Sequence, residues 1–568
     1  MYLDAIKNKL SKILGVSALD FVYPPQTEMG ELSLPLFNLA KSRGLNPVQL
    51  AQDLVGDLNK DVSLKQEVFE IKAVGPYLNF YLQAESLLAG TINDIKKSGI
   101  NFGKQAIGKN KGIMLEYSNA NTHKEYHIGH LRNLFYGDAV TKILSFCSYN
   151  AIPVSYINDF GIHVAKTLWA FQNGKNKDDY QKLTKSNQSK GYLLGKCYVD
   201  ANQELSDFPE KKDEVTVIMK EIEIHAGANY ELWQDTRAWS IAYFAEIYQH
   251  FNIKFEHIFY ESEVVETGLK LVQDFLTKGI LKKSQGAIIA DLEEYDLGVL
   301  PIIRSDGTAL YPVADLALAR KKFKKYKIEE SVYVVDIRQG LYFKQLAKIF
   351  ELAGDKTKIS HLGYDFVALK NGMMSSRSGN VITYNQIWEE AYGRAEKEVA
   401  SRHEDWSGTQ IKDTANALAV AALKFEMLKV SADKIIIFDV DEALRFEGYT
   451  AAYLQYSGAR LASILRKGKH TSKKVDFSCL NHVKEISLAI FLERFADNVL
   501  KAGEQRDPAI ISRYLFELAQ QFNDYYHEVS VLKAETKTVS ARLALLGAIQ
   551  QVLKNGFSLL GISYLEEM

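Results

Sequence analysis

Apolar residues recur at different spacings along the chain, and each spacing predicts a different kind of structure. The first residues follow a helical spacing with lysines between them, which predicts an amphipathic helix rather than a secretion signal. Asn46 and Pro47 are a cap and first-turn pair for a further helix. Two β-rich runs, Val68–Val74 and Tyr77–Leu82, are separated by Gly-Pro and predict a hairpin. Residues 1–85 are therefore predicted to form a small α/β domain.

The pattern changes after a lysine-bearing stretch, residues 94–111, which is interpreted as a linker. Short apolar strands then alternate with helical segments, and three of these strands are predicted at 113–117, 152–157 and 331–335. Such alternation is typical of a Rossmann-like parallel sheet with helices on its faces. An α/β domain is expected over 110–385, with a helical insertion at about 165–260.

The later part of the chain is predicted to be mostly helical. A second hairpin is expected first, with its turn at residues 305–308. Nine of the ten prolines lie at or before Pro312, so long helices can form after it. A helical connecting region is expected at 386–440 and an all-helical bundle at 441–568. One apolar stripe that follows an Asp-Pro cap signal supports the bundle: Leu515, Leu518, Phe522, Tyr525 and Val529.

Composition and charge narrow the class of protein. At 568 residues the chain is long enough for three or four domains. No apolar run approaches the length of about 20 residues that a membrane span needs. The three cysteines are widely separated and offer neither a disulfide framework nor a zinc-ligand spacing. We expect a cytoplasmic protein without zinc. The formal net charge of −1 means that any RNA contact must come from local clusters.

The stretch EYSNANTHKEYHIGHLRN, residues 116–133, carries the first candidate chemistry. It runs from the end of a predicted strand through a polar loop into a helix, a context that binds nucleotides. Free N–H groups and the dipole at a helix start favour phosphate, and Gly129 lets an adenine ring approach closely. His127 and His130 would donate to phosphate oxygens. In a plainer interpretation, both histidines are only caps or buried polar groups.

Metal binding is a further alternative for the same stretch. His123, His127 and His130 are spaced at i, i+4 and i+7, close to one helical face. The zincin pattern, however, places glutamate directly after the first histidine, whereas here Lys124 stands there and Glu125 follows. A metal site is therefore disfavoured.

These residues belong to a series of motifs that resembles one protein family along nearly the whole chain. HIGH at 127–130 is the first signature of class I aminoacyl-tRNA synthetases, and the surrounding sequence is similar to the arginyl family. Further matching motifs are GELSLPLFNLAK, GPYLNF, YINDFG, YLLGKCYVDA, LWQDTRAWS, DGTALYPVADLALA, VVDIRQ and LQYSGARLASIL. Each is weak alone, whereas their number and order are specific.

The resemblance assigns an amino-acid site to Glu116, Asn119, Ala120, Asn121, His130, Tyr311, Asp315 and Gln339. Residue type agrees for Tyr311 and Asp315, because a guanidinium requires a carboxylate that accepts two parallel N–H bonds and neutral acceptors in its plane. Without the resemblance, Asp315 could merely stabilise a helix start and Tyr311 could be core. The basic run 320–327 is typical of a solvated helix face and is given no role.

The second class I signature, normally KMSKS, corresponds to the loop MMSSRSGN and has lost both lysines. The cation that neutralises pyrophosphate would then be Arg377 or Lys124, since some arginyl-family members carry a lysine just ahead of HIGH. The alternative for Lys124 is a solvated surface lysine. By resemblance, the residues expected to bind ATP are His127, Gly129, His130, Met374, Ser375 and Ser376.

The resemblance implies a ligase that activates arginine with ATP and Mg²⁺ and transfers it to the 3′ end of its tRNA. It also implies tRNA contacts in the helical bundle, which would bind the anticodon, and in the amino-terminal domain. We expect a monomer with no membrane partner. Two alternatives stay open: a class I synthetase for another amino acid, and a synthetase-like RNA-binding protein without ligase activity, which the changed second signature suggests.

Overall fold

The computed structural model describes residues 2–17, 19–184, 190–356, 358–369, 382–468 and 475–568. Within them, an amino-terminal α/β unit, a parallel α/β core with a helical insertion, and a helical bundle follow one another along the chain. No helix in these ranges is both long enough and apolar enough to span a membrane.

The amino-terminal unit is a three-stranded antiparallel sheet flanked by helices. Its elements are α1 (Tyr2–Leu14), β1 (Leu32–Pro35), α2 (Phe37–Arg43), α3 (Pro47–Lys60), β2 (Val68–Val74) and β3 (Tyr77–Leu82). The predicted hairpin is confirmed residue for residue, and β3 lies between β1 and β2. Asn46 caps α3 as predicted, because its side-chain oxygen accepts the N–H of Val48 at 2.9 Å and that of Gln49 at 3.2 Å.

The stretch predicted as a linker from residue 94 is partly helical instead. Helix α4 (Ala84–Ser98) packs against two helices of the carboxyl-terminal bundle. Its lysines, Lys96 and Lys97, lie on the last turn, where cations interact favourably with the helix dipole, so they do not mark a linker. The apolar face that α4 buries consists of Leu87, Leu88, Ile92 and Ile95.

The α/β core begins with β4 (Gly112–Glu116), α5 (Ile128–Phe146) and β5 (Asn150–Ile157), in which the two strands pair in parallel. A helical insertion follows, as predicted. Its helices are α6 (Ile162–Asn173), α7 (Lys177–Leu183), α8 (Lys190–Asp207), α9 (Lys212–Glu223) and α10 (Ala228–His250). They bury an apolar core of their own around Trp169 and Trp233.

The chain then forms β6 (His257–Tyr260), α11 (Val265–Thr277), β7 (Lys282–Ser284), β8 (Ala287–Asp291), β9 (Val299–Ile303) and α12 (Tyr311–Lys325). Strands β7 to β9 make a small antiparallel sheet. The hairpin predicted at 305–308 is wrong in its second arm, where a single bridge between Ile303 and Ala309 precedes α12. Pro312 gives the reason, because proline favours the first turn of a helix and cannot donate to a strand ladder.

A central parallel sheet is completed by β10 (Glu330–Asp336), α13 (Gly340–Leu352) and β11 (Lys358–Tyr364). The five strands lie in the order β11-β10-β4-β5-β6, and each neighbouring pair is parallel, so the predicted alternation is confirmed. The chain progresses from β4 towards β6 on one side and from β10 towards β11 on the other. Ligands of such sheets bind outside the carboxyl ends of the two central strands, where the direction reverses.

Helices dominate the rest of the chain. The elements are β12 (Val367–Leu369), α14 (Tyr384–Arg402), α15 (Gly408–Leu428), β13 (Ile436–Phe438), α16 (Val440–Ala443), α17 (Ala451–Lys467), α18 (Val483–Gln505), α19 (Ala509–Glu528) and α20 (Thr536–Leu559). The predicted stripe from Leu515 to Val529 is buried. The Asp507 carboxylate accepts the Ala509 N–H at 3.0 Å at the start of α19, as the cap signal predicts.

Candidate active site

Helix α5 presents its amino end beside the carboxyl end of β4. The helix begins at Ile128 with His127 as its cap. His127 Nδ1 accepts the Gly129 N–H at 3.2 Å, and His130 Nδ1 accepts the His127 N–H, also at 3.2 Å. The two imidazole rings stack with their centroids 3.7 Å apart. The structure thus places His127, Gly129 and His130 at a helix start, as predicted.

This arrangement fixes where both imidazoles carry a proton. Because each Nδ1 accepts a backbone N–H, each neutral ring is protonated on Nε2 and donates only from there. Burial, followed by the nearby Lys124 ammonium, lowers the pKa of His127 to about 4. Burial, then His127 and Lys124, lower the pKa of His130 well below its ordinary value. At pH 7 the pair therefore offers two neutral N–H donors at a helix start, a setting that suits phosphate oxygens.

His123 does not join this pair as a metal ligand. Its ring nitrogens are already engaged, Nδ1 with the Thr122 hydroxyl at 2.9 Å and Nε2 with the Thr236 hydroxyl of α10 at 2.8 Å. In the part of the chain that the structure describes, no group of three or more His, Cys, Asp or Glu side chains is arranged to hold a metal ion. Of the three histidines at helical spacing, His127 and His130 therefore form the pair at the start of α5, and His123 contacts α10.

A cleft of about 560 Å³ lies between the start of α5, the insertion and the start of α14. Asn121 and Lys124 line it together with the two histidines of HIGH. Tyr198 of α8 faces them, and Thr383 and Gln386 line it from α14. The cleft therefore lies between the start of α5 and the insertion.

The second signature lies outside the described residues. Met374, Ser375, Ser376 and Arg377 fall within 370–381, so their assigned roles stay predictions. The segment that follows residue 381 is hydrogen-bonded to the HIGH motif, because the Ile382 carbonyl accepts the Ile128 N–H at 3.2 Å. Tyr384 N–H likewise donates to the Tyr126 carbonyl at 2.7 Å.

The residues predicted for the amino-acid site lie in separate stretches of the chain, one of which follows β4. Glu116, the last residue of that strand, is buried, and its Oε1 accepts the Asn119 amide N–H at 3.3 Å. Asn119 also accepts the Tyr156 N–H at 3.4 Å. Ala120 pairs with Asn158, whose N–H donates to the Ala120 carbonyl at 3.0 Å. This loop is therefore tied to the carboxyl ends of both β4 and β5.

The second group consists of Tyr311 and Asp315 on α12 and Gln339 after β10. Asp315 is half-buried and accepts a hydrogen bond from the Tyr342 hydroxyl of α13. Burial raises the pKa of Asp315 to about 6, and the charge of Glu116 adds to the rise. The carboxyl groups of Asp315 and Glu116 therefore lie close to one another. Tyr311 is 70% exposed at the first position of α12, so the alternative that it belongs to the core is wrong.

One member of the basic run 320–327 does not lie on a solvated face. Lys322 has no exposed surface, its ammonium forms an ion pair with Glu116, and it lies 4.5 Å from the centre of the Tyr333 ring. The prediction of a solvated face is wrong for this residue, although Lys324, Lys325 and Lys327 are exposed. Lys322 lies seven positions after Asp315 on α12, so both point towards the sheet. The charge of Glu116 is therefore balanced within the protein.

Glu261, which sequence reasoning missed, adds an unbalanced carboxylate. It is buried, and among the described residues its Oε2 has no hydrogen-bond partner. Burial, then Asp315 and Asp159, raise the pKa of Glu261 to about 8. Asp159 itself is paired with Arg237 of α10. A signal did exist, because Glu261 directly follows the carboxyl end of β6, where parallel sheets place ligand-binding residues. We call Glu116, Glu261, Asp315, Lys322 and Tyr342 the amino-acid pocket.

Comparison with known proteins shows which family has this sequence and fold. The family model described as "tRNA synthetases class I (R), catalytic domain" matches residues 91–440. The chain belongs to the arginyl-tRNA synthetase family. Two further models match its other parts, "Arginyl tRNA synthetase N terminal domain" at residues 1–82 and "DALR anticodon binding domain" at residues 454–568.

Other members of the arginyl-tRNA synthetase family are similar over nearly the whole chain. An arginine–tRNA ligase of Bdellovibrio bacteriovorus is 36% identical over 562 residues, which covers 96% of this chain and 94% of the relative. One of Clostridium botulinum is 33% identical over 549 residues, covering 96% and 95%. The solved arginyl-tRNA synthetase of Thermus thermophilus has a TM-score of 0.83 at 27% identity and covers 100% of both chains. Membership of this family argues against the alternative of a class I synthetase for another amino acid.

This member of the arginyl-tRNA synthetase family has a larger cleft, about 900 Å³, between the end of α14 and the helical bundle. Arg460 of α17 lies 4.7 Å from the centre of the Tyr456 ring and 5.3 Å from that of Tyr526. His403 and Trp406 stack on the opposite side with ring centroids 3.8 Å apart. We call these five residues the helical-domain cleft. Tyr526 is exposed and the other four are half-buried, and rings and cations that line a cleft in this way can stack on unpaired bases.

Proposed function

We propose that the chain is an arginine–tRNA ligase, which activates L-arginine with ATP and transfers the arginyl group to the 3′ end of its tRNA. The observation that carries the proposal is the pair of carboxyl groups without an ion-pair partner among the described residues, Asp315 and Glu261, which lie near Glu116 at the start of the loop that leads to HIGH. Asp315, together with Glu261 once it has lost its proton, suits one guanidinium, whereas a neutral or acidic side chain would leave the Asp315 charge unpaired. Similarity to arginine–tRNA ligases over nearly the whole chain supports the same function.

The guanidinium is assigned to Asp315 and Glu261. The Tyr342 hydroxyl orients Asp315, and Tyr311 at the exposed start of α12 covers the substrate side chain. The α-amino and carboxylate groups of arginine are assigned to Asn119, Ala120, Asn121, His130 and Gln339. Glu116, already balanced by Lys322, contributes by holding the Asn119 amide.

ATP is assigned to the start of α5. The Nε2–H groups of His127 and His130 donate to phosphate oxygens, and the free N–H groups of the helix start add to them. Gly129 leaves room for the nucleotide beside the His127 ring, since a Cβ there would lie only 3.1 Å from that ring. Lys124 supplies a cation from the same cleft, and Arg377 a second one from the second signature. Mg²⁺ belongs to the substrate, as the counter-ion of the ATP phosphates.

The reaction proceeds in two displacements. A carboxylate oxygen of arginine attacks the α-phosphorus of ATP, the bond to the bridging oxygen breaks, and pyrophosphate leaves with its electron pair. A terminal ribose hydroxyl of tRNA then attacks the arginyl carbonyl, loses its proton, and displaces AMP. No side chain of the protein forms a covalent bond in either step, so catalysis rests on positioning and charge neutralisation.

The tRNA is assigned to two regions besides the active site. Anticodon bases stack in the helical-domain cleft, where Tyr456, Tyr526 and Trp406 provide rings and Arg460 provides charge. The amino-terminal domain contacts the outer corner of the tRNA. We further propose that the protein is a cytoplasmic monomer, which size-exclusion chromatography with light scattering and cell fractionation test.

Charging of total tRNA with each amino acid in turn tests the function. The full-length protein with ATP and Mg²⁺ should attach arginine and no other amino acid. Preferential attachment of another amino acid would reject the proposed substrate. Binding of tRNA without attachment of any amino acid would instead favour the RNA-binding alternative that the changed second signature suggests.

A further inference from the structure

The insertion docks directly onto the loop that precedes HIGH. At Gly195 of α8, the helix meets Glu125 so closely that a Cβ would lie 2.8 Å from the Glu125 backbone nitrogen and 3.0 Å from its Cα. No other residue type fits there without moving one of the two backbones. The position of α8 is therefore fixed relative to Lys124, the residue before Glu125.

One turn further along α8, an aromatic ring meets the side chain of Lys124. The Lys124 ammonium lies 4.8 Å from the centre of the Tyr198 ring, within the range of a cation–π attraction. Both side chains line the cleft that also contains His127 and His130. A flexible lysine that points into a cleft loses conformational freedom when it is held in one place, and a fixed ring reduces that loss in advance.

The charge of Lys124 is felt at the helix start. After burial, it contributes to lowering the pKa of His127, and it contributes similarly at His130 and at His163 of α6. In the described part of the chain, Lys124 has no carboxylate partner in an ion pair, and the contact that it makes is with the Tyr198 ring. An ammonium that is not neutralised remains available to a phosphate.

We propose that Tyr198 is a positioning residue that holds the Lys124 ammonium over the ATP phosphates, and that Gly195 makes this possible by letting α8 touch the loop. This inference rests on the proposed role of Lys124 in adenylate formation. In this proposal the helical insertion contributes to adenylate formation through the ring of Tyr198. The lysine pair lost from the second signature is then replaced by one lysine together with the helix that orients it.

The test is a double-mutant cycle read out as single-turnover adenylate formation by the full-length protein with its tRNA. Tyr198→Leu should slow this step by about 3- to 30-fold, the range expected for loss of one cation–π contact. Tyr198→Phe keeps the ring and should restore the rate. Lys124→Ala should slow the step by on the order of a hundredfold, and Tyr198→Leu should add nothing in that background. The KM for arginine should not change in the Tyr198 variants.

Phe208→Leu is the matched control, because it removes a ring that lies 4.7 Å from the Lys211 ammonium elsewhere in the insertion. It should leave adenylate formation unchanged. The inference is overturned when Tyr198→Leu, with an unchanged melting temperature, keeps the wild-type rate, or slows the step equally with and without Lys124. Failure of the wild-type protein to charge arginine would instead reject the proposed function, and a silent Lys124→Ala would remove the role of Lys124.

Discussion

The amino-acid pocket and the helical-domain cleft both combine charged and aromatic side chains, but they differ in how far these side chains are exposed to solvent. In the pocket, Glu116 and Lys322 are fully enclosed, and Glu261 has an oxygen without a partner among the described residues. In the cleft, Tyr526 is 39% exposed, and Arg460 lies against rings rather than carboxylates. Buried charge selects one small cation strongly, whereas exposed rings accept any base that stacks.

The charge balance of the pocket is the reason that we expect it to prefer a positively charged side chain over a neutral one. The three carboxyl groups of the pocket lie close to a fourth, that of Asp159, and two of the four are paired with cations of the protein, Glu116 with Lys322 and Asp159 with Arg237. The remaining two, Asp315 and Glu261, have raised pKa values mainly because they are buried, and neither forms an ion pair with a cation in the part of the chain that the structure describes. In the proposed function, the cation that completes the set is the guanidinium of arginine.

The largest effect is expected for Lys322→Met. Removing the ammonium leaves the Glu116 charge buried without a partner, which costs about 3–5 kcal/mol in the free energy of unfolding. Lys321→Met is the control on the same helix, because its ion pair with Glu263 is partly exposed and contributes at most about 1 kcal/mol. Denaturant unfolding of both variants measures the difference. Equal losses would contradict the buried role of Lys322.

Asp315→Asn should come next. The substitution keeps the shape of the side chain but removes a charge-assisted hydrogen bond, which contributes about 1.5–3 kcal/mol. The kcat/KM for arginine should therefore fall by about 10- to 150-fold, with the free energy of unfolding little changed. Asp274→Asn, which removes a carboxylate that pairs with Lys278 on the surface of α11, serves as control. A loss of less than about threefold in Asp315→Asn would exclude this residue from guanidinium binding.

The pH dependence of arginine binding should follow the two raised pKa values. In the free pocket, protons occupy Glu261 below about pH 8 and Asp315 below about pH 6, and each proton competes with the guanidinium. The KM for arginine should thus decrease as pH rises from 6 to 8, by up to about tenfold per unit. Glu261→Gln should flatten the upper part of this profile. A KM for arginine that does not vary over this range would be inconsistent with ionisation of the pocket.

The smallest effect is expected in the cleft. Tyr526→Leu removes one exposed stacking surface, which should weaken tRNA binding by about 1 kcal/mol, the lower end of the range for a base on an aromatic ring. The KM for arginine should not change. Binding of tRNA should weaken with increasing salt to the same degree in the wild-type protein and in Tyr526→Leu, because the substitution leaves the phosphate contacts unchanged. An altered arginine KM would show that pocket and cleft are not separate.

Local signals made much of the fold predictable. The hairpin of β2 and β3, the cap at Asn46 and the HIGH helix start depend on neighbouring residues, so their sequence patterns carry them completely. The second hairpin failed because Pro312 redirected the chain into α12 after one bridge. The linker prediction failed because the apolar face of α4 is covered by helices about 400 residues further along the chain.

The pocket was predictable only in part. Asp315 and Tyr311 share a short motif, and their place on α12 follows from it. The pairing of Glu116 with Lys322 joins residues separated by 206 positions, and the rule that charged runs are solvated describes the run as a whole rather than its one inward-facing member. The only sequence signal for Glu261 was its place after the carboxyl end of β6, and its importance comes from the unpartnered oxygen and from the closeness of Asp315.

In this account, Asp315 and Glu261, which have no ion-pair partner among the described residues, bind the guanidinium of arginine. Calorimetric titration with arginine and with citrulline tests this most directly. Citrulline has nearly the same shape but carries a neutral urea in place of the guanidinium. The full-length protein at pH 7.5 should bind arginine at least about tenfold more tightly than citrulline, and Asp315→Asn should remove most of that preference. Equal affinity of the wild-type protein for the two ligands would contradict the account.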